Sequence, residues 1–370
     1  MELQSVWGWQ PALYLFLGGM GAGAFITAAV LYLKDKERHA LIVCVSMWAA
    51  AISLIVGLLL LLMELVTPAR GLLMWQSFSH FTSWMTYGAW GAFGAIVAFG
   101  LSALLATPQV NAWLAEKLSW FGPRERSIRT VLAVIGMALG AFVAFYTGML
   151  LMASGSVPFW DTLLLPALFT VSAFDTGVAL VEVVAIALAK KEAIAAEAKR
   201  FMERCVVVLV LVEAVVLAVF LGTALSADAS SATGAAAAAS ASMFVLGQLA
   251  GWFWGLVAVV GLALPLSMAL RGLLAKEGPK NPQSVGSSEG AEGAEGASCA
   301  SGESDDAAVV ASRAQATGDG QAASGKSSID VPTLVGALGA LVGGCALRFL
   351  VLAAGVHADV VAETIYRMIN

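Results

Sequence analysis

Charge is what this sequence has least of. Only 12% of its 370 residues are Asp, Glu, Lys or Arg, against 59% hydrophobic residues and a mean hydropathy of +0.85. That balance excludes a soluble globular domain. The formal net charge of -5 gathers no basic face, which argues against a nucleic-acid partner. Histidine is nearly missing: His39, His80 and His357 all fall at the ends of apolar runs. A membrane b-type haem is held by histidines on facing helices, so no haem is expected. The cysteines Cys44, Cys205, Cys299 and Cys345 have no CxxC or other ligand spacing. They read as packing residues, with neither a metal site nor a disulfide frame. The pattern GxxxxGK[ST] is absent, so the chain carries no ATP-driven motor. The run GGMGAGAF has no preceding strand and lies inside an apolar stretch, where small residues serve close helix packing. No positively charged region or small-residue cleavage site accompanies the first apolar run, which is expected to stay as a helix.

What is present is a series of long apolar runs. Crossing a bilayer takes roughly 20 apolar residues in a helix, because a helix satisfies its own backbone polar groups. About eight such runs occur, at residues 10–33, 40–65, 82–106, 130–153, 163–189, 204–226, 242–270 and 331–355. The expected fold class is therefore all-α, a polytopic integral membrane helix bundle of the cell inner (plasma) membrane. Basic residues choose its orientation. Lys34, Lys36 and Arg38 follow the first run, Lys117, Arg124, Arg126 and Arg129 the third, and Lys190, Lys191, Lys199, Arg200 and Arg204 the fifth. Arg271, Lys276, Lys280, Arg313 and Lys326 follow the seventh, whereas the alternate loops hold little beyond Arg70. The positive-inside rule then puts both termini on the outer (periplasmic or extracellular) side. Residues 1–275 carry helices one to seven, and 331–370 carry helix eight and a tail. Residues 276–330, rich in Gly, Ser, Ala and Glu with the repeat EGAEGAEGAS, form a disordered cytoplasmic linker. A second low-complexity stretch, 226–242, reads as a flexible loop or as a weak helical extension of helix seven.

In so apolar a bundle an ionisable group at membrane depth is costly and faces a cavity or a partner. Depth separates two sets. Tyr14, Glu64, Arg70, His80, Ser83, Tyr87, Tyr146, Trp160 and Asp161 come near the outer face. A carboxylate, an imidazole and phenols beside apolar walls suit a quinone, whose ring needs a greasy slot and whose oxygens need hydrogen-bond or proton partners. The competing reading is plain anchoring, since Tyr and Trp decorate membrane boundaries and Glu64 can pair with Arg70 in the Pro68/Arg70 turn. The second set is Asp175, Glu182, Glu213 and Arg348. Asp175 and Glu182 are seven apart and share a helical face. Together these residues are either a possible proton path or an ion-pair network, with Arg348 read as structural.

In order along the chain, YLFLGGMGAGAF, MELVTPARGLLMW, TSWMTYGAWGAF, FYTGMLL, PFW, LPALFTVSAFDTG and GGCALRFLVLAAG resemble the NrfD/PsrC family. This is the membrane subunit of polysulfide-reductase-type and related molybdoenzyme complexes. The resemblance covers nearly the whole chain. It implies an anchor that binds menaquinone or ubiquinone near the outer face and has no redox metal of its own. It also implies two partners, an iron-sulfur (ferredoxin-like) electron-transfer subunit and a molybdopterin catalytic subunit. By position, Glu64 matches the family's acidic residue at the end of helix two, Arg70 its following basic residue, Tyr146 the tyrosine of its YTG motif, and Arg348 an arginine of the last helix. Some members place Asn and His at the start of helix one, where this chain has Pro11 and Tyr14. A phenol donates a hydrogen bond but is a poor base near neutral pH, which leaves Glu64 or His80 to accept the proton.

The expectation is a quinol-binding subunit of a respiratory oxidoreductase that lacks the terminal catalytic site. Tyr14 and Tyr146 would bond the quinol oxygens, with Arg70, Ser83 and Tyr87 lining the slot and Glu64 or His80 moving protons. Two other classes compete with it. One is a secondary transporter coupled to protons through Asp175, Glu182 and Glu213, against which stand the absence of a convincing repeat between halves and of paired broken helices. The other is a purely structural anchor that recruits a soluble complex.

Overall fold

The computed structural model describes residues 2–3, 7–35, 38–64, 84–274 and 330–358. Eight of its helices are long and apolar enough to cross a membrane. In chain order they are α1 (Trp9–Lys34), α2 (Ala40–Glu64), α3 (Trp84–Ala106), α5 (Glu125–Met152), α6 (Leu164–Ala187), α7 (Ala196–Leu225), α9 (Ala250–Leu274) and α10 (Val331–Ala353). Two shorter helices, α4 (Pro108–Lys117) and α8 (Ala232–Val245), lie between them. Strands β1 (Glu2–Leu3) and β2 (Val356–His357) pair antiparallel, Glu2 with His357 and Leu3 with Val356. That pairing brings the start of α1 and the end of α10 to one end of the bundle, as an even number of crossings requires.

Helices α1 and α6 form the hub. Helix α1 packs on α2, α5, α6 and α10, while α6 packs on α1, α5, α7 and α10; α2 and α5 carry α3, and α7 and α10 carry α9. In lipid the apolar side chains gain little from meeting each other, so close van der Waals fit must hold the helices together. Glycine supplies it at two crossings. Gly23 of α1 faces Gly177 of α6, and Gly261 of α9 faces Gly343 of α10, each so near that an added Cβ would overlap the opposing backbone. Through the second crossing α9 is wound as a wide π-helix over Phe253–Ala263.

Two apolar clusters fill the ends. One gathers Leu31, Tyr32, Val43, Phe99, Ala103, Met202 and Val206 toward the basic end of the helices. The other gathers Tyr14, Leu151, Phe159, Trp160, Leu165, Phe220, Phe244 and Val351 at the opposite end. Trp160 is fully buried there, donating its Nε1–H to the Val351 carbonyl at 3.0 Å and meeting Trp7 edge-on at 6.0 Å. It ties the loop ahead of α6 to α10 from a fully enclosed position.

The structure differs from the sequence reading at three places. Helix α7 begins at Ala196, about two turns before residue 204, because AEAKRFMERC consists largely of good helix formers and closes a Lys199–Glu203 pair across one turn. The stretch 226–242 is a short loop through Ser231 and then a helix that is not an extension of the next span. That helix is the separate α8, started by the Ser231 side chain accepting from Gly234 N–H and packed by the stripe Ala236, Ala237, Ser240, Ala241 and Phe244. Ahead of it Asp228 takes two hydrogen bonds from Ser230, backbone and hydroxyl, which hold its carboxyl below the usual value. The unforeseen α4 lies on the surface with no buried residue, tied down by Asn111 Nδ2 donating to the Leu105 carbonyl and Glu125 Oε1.

Candidate functional site

The outer set divides between what is described and what is not. Arg70, His80 and Ser83 lie outside the described residues, as does the linker up to residue 329. Glu64 closes α2, and its side chain is likewise outside. The backbone nevertheless fixes its level. Gly57 of α2 sits against the Tyr14 carbonyl and the Gly18 nitrogen of α1, 3.3 and 3.4 Å from a Cβ built on it. Seven residues further along α2, Glu64 stands about 10 Å beyond that level, near the start of α1.

Tyr14 is buried in the apolar cluster with Leu15, Leu151 and Trp160. One turn deeper, Gly18 of α1 meets Thr147 of α5, and Tyr146 is the next residue on α5. The Tyr146 ring lies directly on Gly88 of α3, where any Cβ would collide with it, and stacks with Phe142 at 6.0 Å. Gly91, one turn on, receives the Phe142 ring in the same way. Glycine at these positions lets α5 lay two aromatic rings flat on α3. Tyr87, Trp90 and Phe93, spaced by three along α3, are exposed. Tyr14, Tyr146 and Tyr87 therefore share one end of the α1–α3–α5 group. Asp161 is exposed on the loop before α6.

The inward set is described in full, and it converges. Arg348 is completely buried on α10. Its Nη1 donates to Ser172 Oγ at 3.0 Å and to the Gly344 carbonyl at 2.7 Å; its Nη2 donates to the Phe169 carbonyl at 3.3 Å. The guanidinium also lies over the Phe169 and Phe16 rings, 5.2 and 5.7 Å from their centroids. Glu213 of α7 is buried, hydrogen-bonds the same Ser172 hydroxyl, and feels the Arg348 charge. Asp175, one turn from Ser172 on α6, is buried with its Oδ1 lacking a hydrogen-bond partner and lies within electrostatic reach of Glu213 and Glu182. A desolvated cation with uncompensated neighbours would cost several kcal/mol, roughly, so this set of donors and acceptors is what allows an arginine at membrane depth.

Two further residues continue the line toward the basic end and escape the sequence reading. Glu203, buried on α7, pairs with Lys199 at 3.8 Å. Lys199 in turn bridges to Asp330, the residue before α10. Burial pushes the Asp330 carboxyl up, but the Lys199 hydrogen bond and charge outweigh it and hold the group below its usual value. Ser172 escapes it too, although it is a polar residue close to Asp175 in the apolar run VSAFDTG. The signal for Glu203 is its spacing of four from Lys199 in a helix-forming stretch. Among the described residues no group of three or more His, Cys, Asp or Glu gathers as a metal site.

Residues 1–277 match the family model described as polysulphide reductase, NrfD. The chain is 31% identical over 281 residues to Protein NrfD of Escherichia coli (strain K12), covering 70% of this chain and 83% of that relative. It is also 31% identical over 180 residues to the C subunit of polysulfide reductase from Wolinella succinogenes, covering 47% of this chain and 56% of that relative. Helix α10 and its Arg348 lie beyond the matched residues, yet the arginine's partners Phe169 and Ser172 lie within them. The chain is thus a multi-pass membrane protein that belongs to the NrfD polysulphide reductase family.

Proposed function

We propose that this chain is the quinol-binding anchor of an inner-membrane respiratory oxidoreductase. It would exchange electrons between menaquinone or ubiquinone and an iron-sulfur partner subunit that feeds a molybdopterin catalytic subunit. The observation that carries the proposal is the Tyr146 phenol laid on Gly88 at the end of the bundle where Tyr14 and the end of α2 also lie. A quinone fits such a place. Phe142, stacked on Tyr146, offers an aromatic wall, and Tyr146 offers a hydroxyl to a quinone oxygen. Phenols orient the ring but accept protons poorly near neutral pH, so proton uptake falls to Glu64 or His80, with Arg70, Ser83 and Tyr14 completing the slot. The direction of flow is set by the partner, because the same contacts serve quinol oxidation and quinone reduction.

The test is to purify the chain with its partners from native membranes and assay quinone, iron-sulfur clusters and haem together. Bound quinone with iron-sulfur clusters supports the anchor, and its loss in Tyr146→Phe or Glu64→Gln supports the slot. An isolated chain without quinone, active in transport when placed alone in liposomes, would replace the proposal with the second reading, a proton-coupled transporter. What favours that reading is the buried carboxylate line Asp175, Glu182 and Glu213.

A further inference from the structure

Between α6, α7, α9 and α10 a small cleft opens at the end of the bundle that carries Lys199, Arg200 and Arg204. Its walls include Ala179, Val206, Met268 and Ala337, and its polar lining is Glu182, Glu203 and Thr333. The space holds about one water, and three polar groups fall within the roughly two to four that a buried water needs. Glu182 is 6% exposed and makes no hydrogen bond among the described residues, so its carboxyl meets the cleft without a protein partner. Such a group at membrane depth marks a place where a proton or water is handled. The Lys199–Asp330 ion pair joins α7 to the start of α10 beside this cleft, and Lys199 also pairs with the lining Glu203.

We infer that Glu182 exchanges protons with the aqueous phase on the Lys/Arg-rich side through this cleft, and that the Lys199–Asp330 pair closes its mouth. The step is a simple transfer: a hydrated proton enters, a Glu182 oxygen takes it, water is left behind, and the reverse releases it. The charged and titratable groups around Glu182 are Asp175 on its own helix, Lys199, Glu203 and Cys205 on α7, and Asp330 ahead of α10. The cleft-lining residues of α9, namely Pro265, Met268 and Ala269, add none. Opening the pair would withdraw Lys199 from the mouth and admit water. The inference goes beyond the quinol reading and does not depend on it.

A membrane-permeant carbodiimide, which adds only to protonated carboxyls, tests it in the intact complex held in native vesicles of either orientation. The Lys/Arg-rich side is identified by an impermeant amine reagent reaching Lys190 and Lys191. Peptide mass mapping should find the adduct on Glu182, forming several-fold more slowly when pH is raised on that side and unchanged when it is raised on the other. Asp330→Asn and Lys199→Met should each speed labelling several-fold. Absence of the Glu182 adduct, dependence on the opposite side's pH, or indifference to both substitutions would overturn the inference. The sidedness measurement uses the unaltered protein, so a variant that fails to insert does not blunt it. Loss of quinone binding with sided labelling intact would reject the quinol reading alone.

Discussion

Gly23 and Gly177 stand backbone to backbone at the crossing of α1 and α6, with no room for a methyl group on either. Both helices pack on several others, so an error there spreads through the bundle. Gly177→Ala is expected to cost about 1–3 kcal/mol or more, as overpacking does in tightly packed interiors. Thermal unfolding of the detergent-purified protein should show a lowered midpoint. Gly100→Ala, at a site where an added Cβ meets nothing, should leave it unchanged.

The Ser172 hydroxyl serves two charged residues, and that makes Arg348 a test of structure against function. Arg348→Met removes the cation and leaves Glu213 buried beside Asp175. A destabilisation of roughly 3–5 kcal/mol is expected when one partner of a buried pair is removed. Adding Glu213→Gln should restore part of it, and a double-mutant cycle on unfolding midpoints measures that coupling. Additive losses would show that the two side chains act independently.

Much of the fold is legible in the sequence because long uncharged runs have few other solutions, and the end-to-end order of basic loops matches the helix ends. The quantities that are not legible are lateral. No pattern in VSAFDTG tells which neighbour Ser172 faces, since every side of α6 is apolar and its burial is nearly uniform. Trp160 reads as a boundary aromatic because sequence gives depth along the chain but not cover by α10. Glu203 falls into a loop when the apolar run, and not helix propensity, sets the start of α7. At the outer site, sequence places Tyr14, Tyr87 and Tyr146 at one end, while the flat seat of Tyr146 on Gly88 needs three dimensions.

Tyr146→Phe keeps the ring on Gly88 and removes only the hydroxyl. Folding should therefore be unaffected, whereas quinol-dependent electron transfer by the complex should fall by about one to two powers of ten if that hydroxyl bonds the quinone during reaction. Gly88→Ala should instead displace the ring and lower both activity and thermal midpoint. Steady-state rates with a soluble quinol analogue, read beside the unfolding curves, separate the two effects.

The Lys199–Asp330 pair carries a pH signature. Burial raises and Lys199 lowers the Asp330 carboxyl, and the balance puts its folded value below the ordinary 3.8. A depressed carboxyl contributes stability that is fully present above the ordinary value and lost as pH falls through the folded one. Wild type should exceed Asp330→Asn in thermal midpoint at neutral pH, and the gap should close only in acid below 3.8. A gap that closes near neutral pH would assign the effect to another group.

A last tie joins the two loops at the basic end. Glu192, after α6, accepts hydrogen bonds from Leu41 N–H at 3.3 Å and Ile42 N–H at 2.7 Å, in the first turn of α2. Those amides have no partner within their own helix, and a negative charge there also suits the helix dipole. Helix α2 has no acidic residue in its own first turn, so the cap is supplied from about 150 residues away. Glu192→Ala should cost about 0.5–2 kcal/mol, the usual cost of a lost cap. Glu192→Gln should cost less, since an amide oxygen still accepts while the charge is gone. Hydrogen exchange at Leu41 and Ile42 would localise the change: faster exchange there in Glu192→Ala, with the rest of α2 unaffected, identifies a cap, whereas exchange spreading along the helix would mean that the loop contact holds α2 in place as a whole.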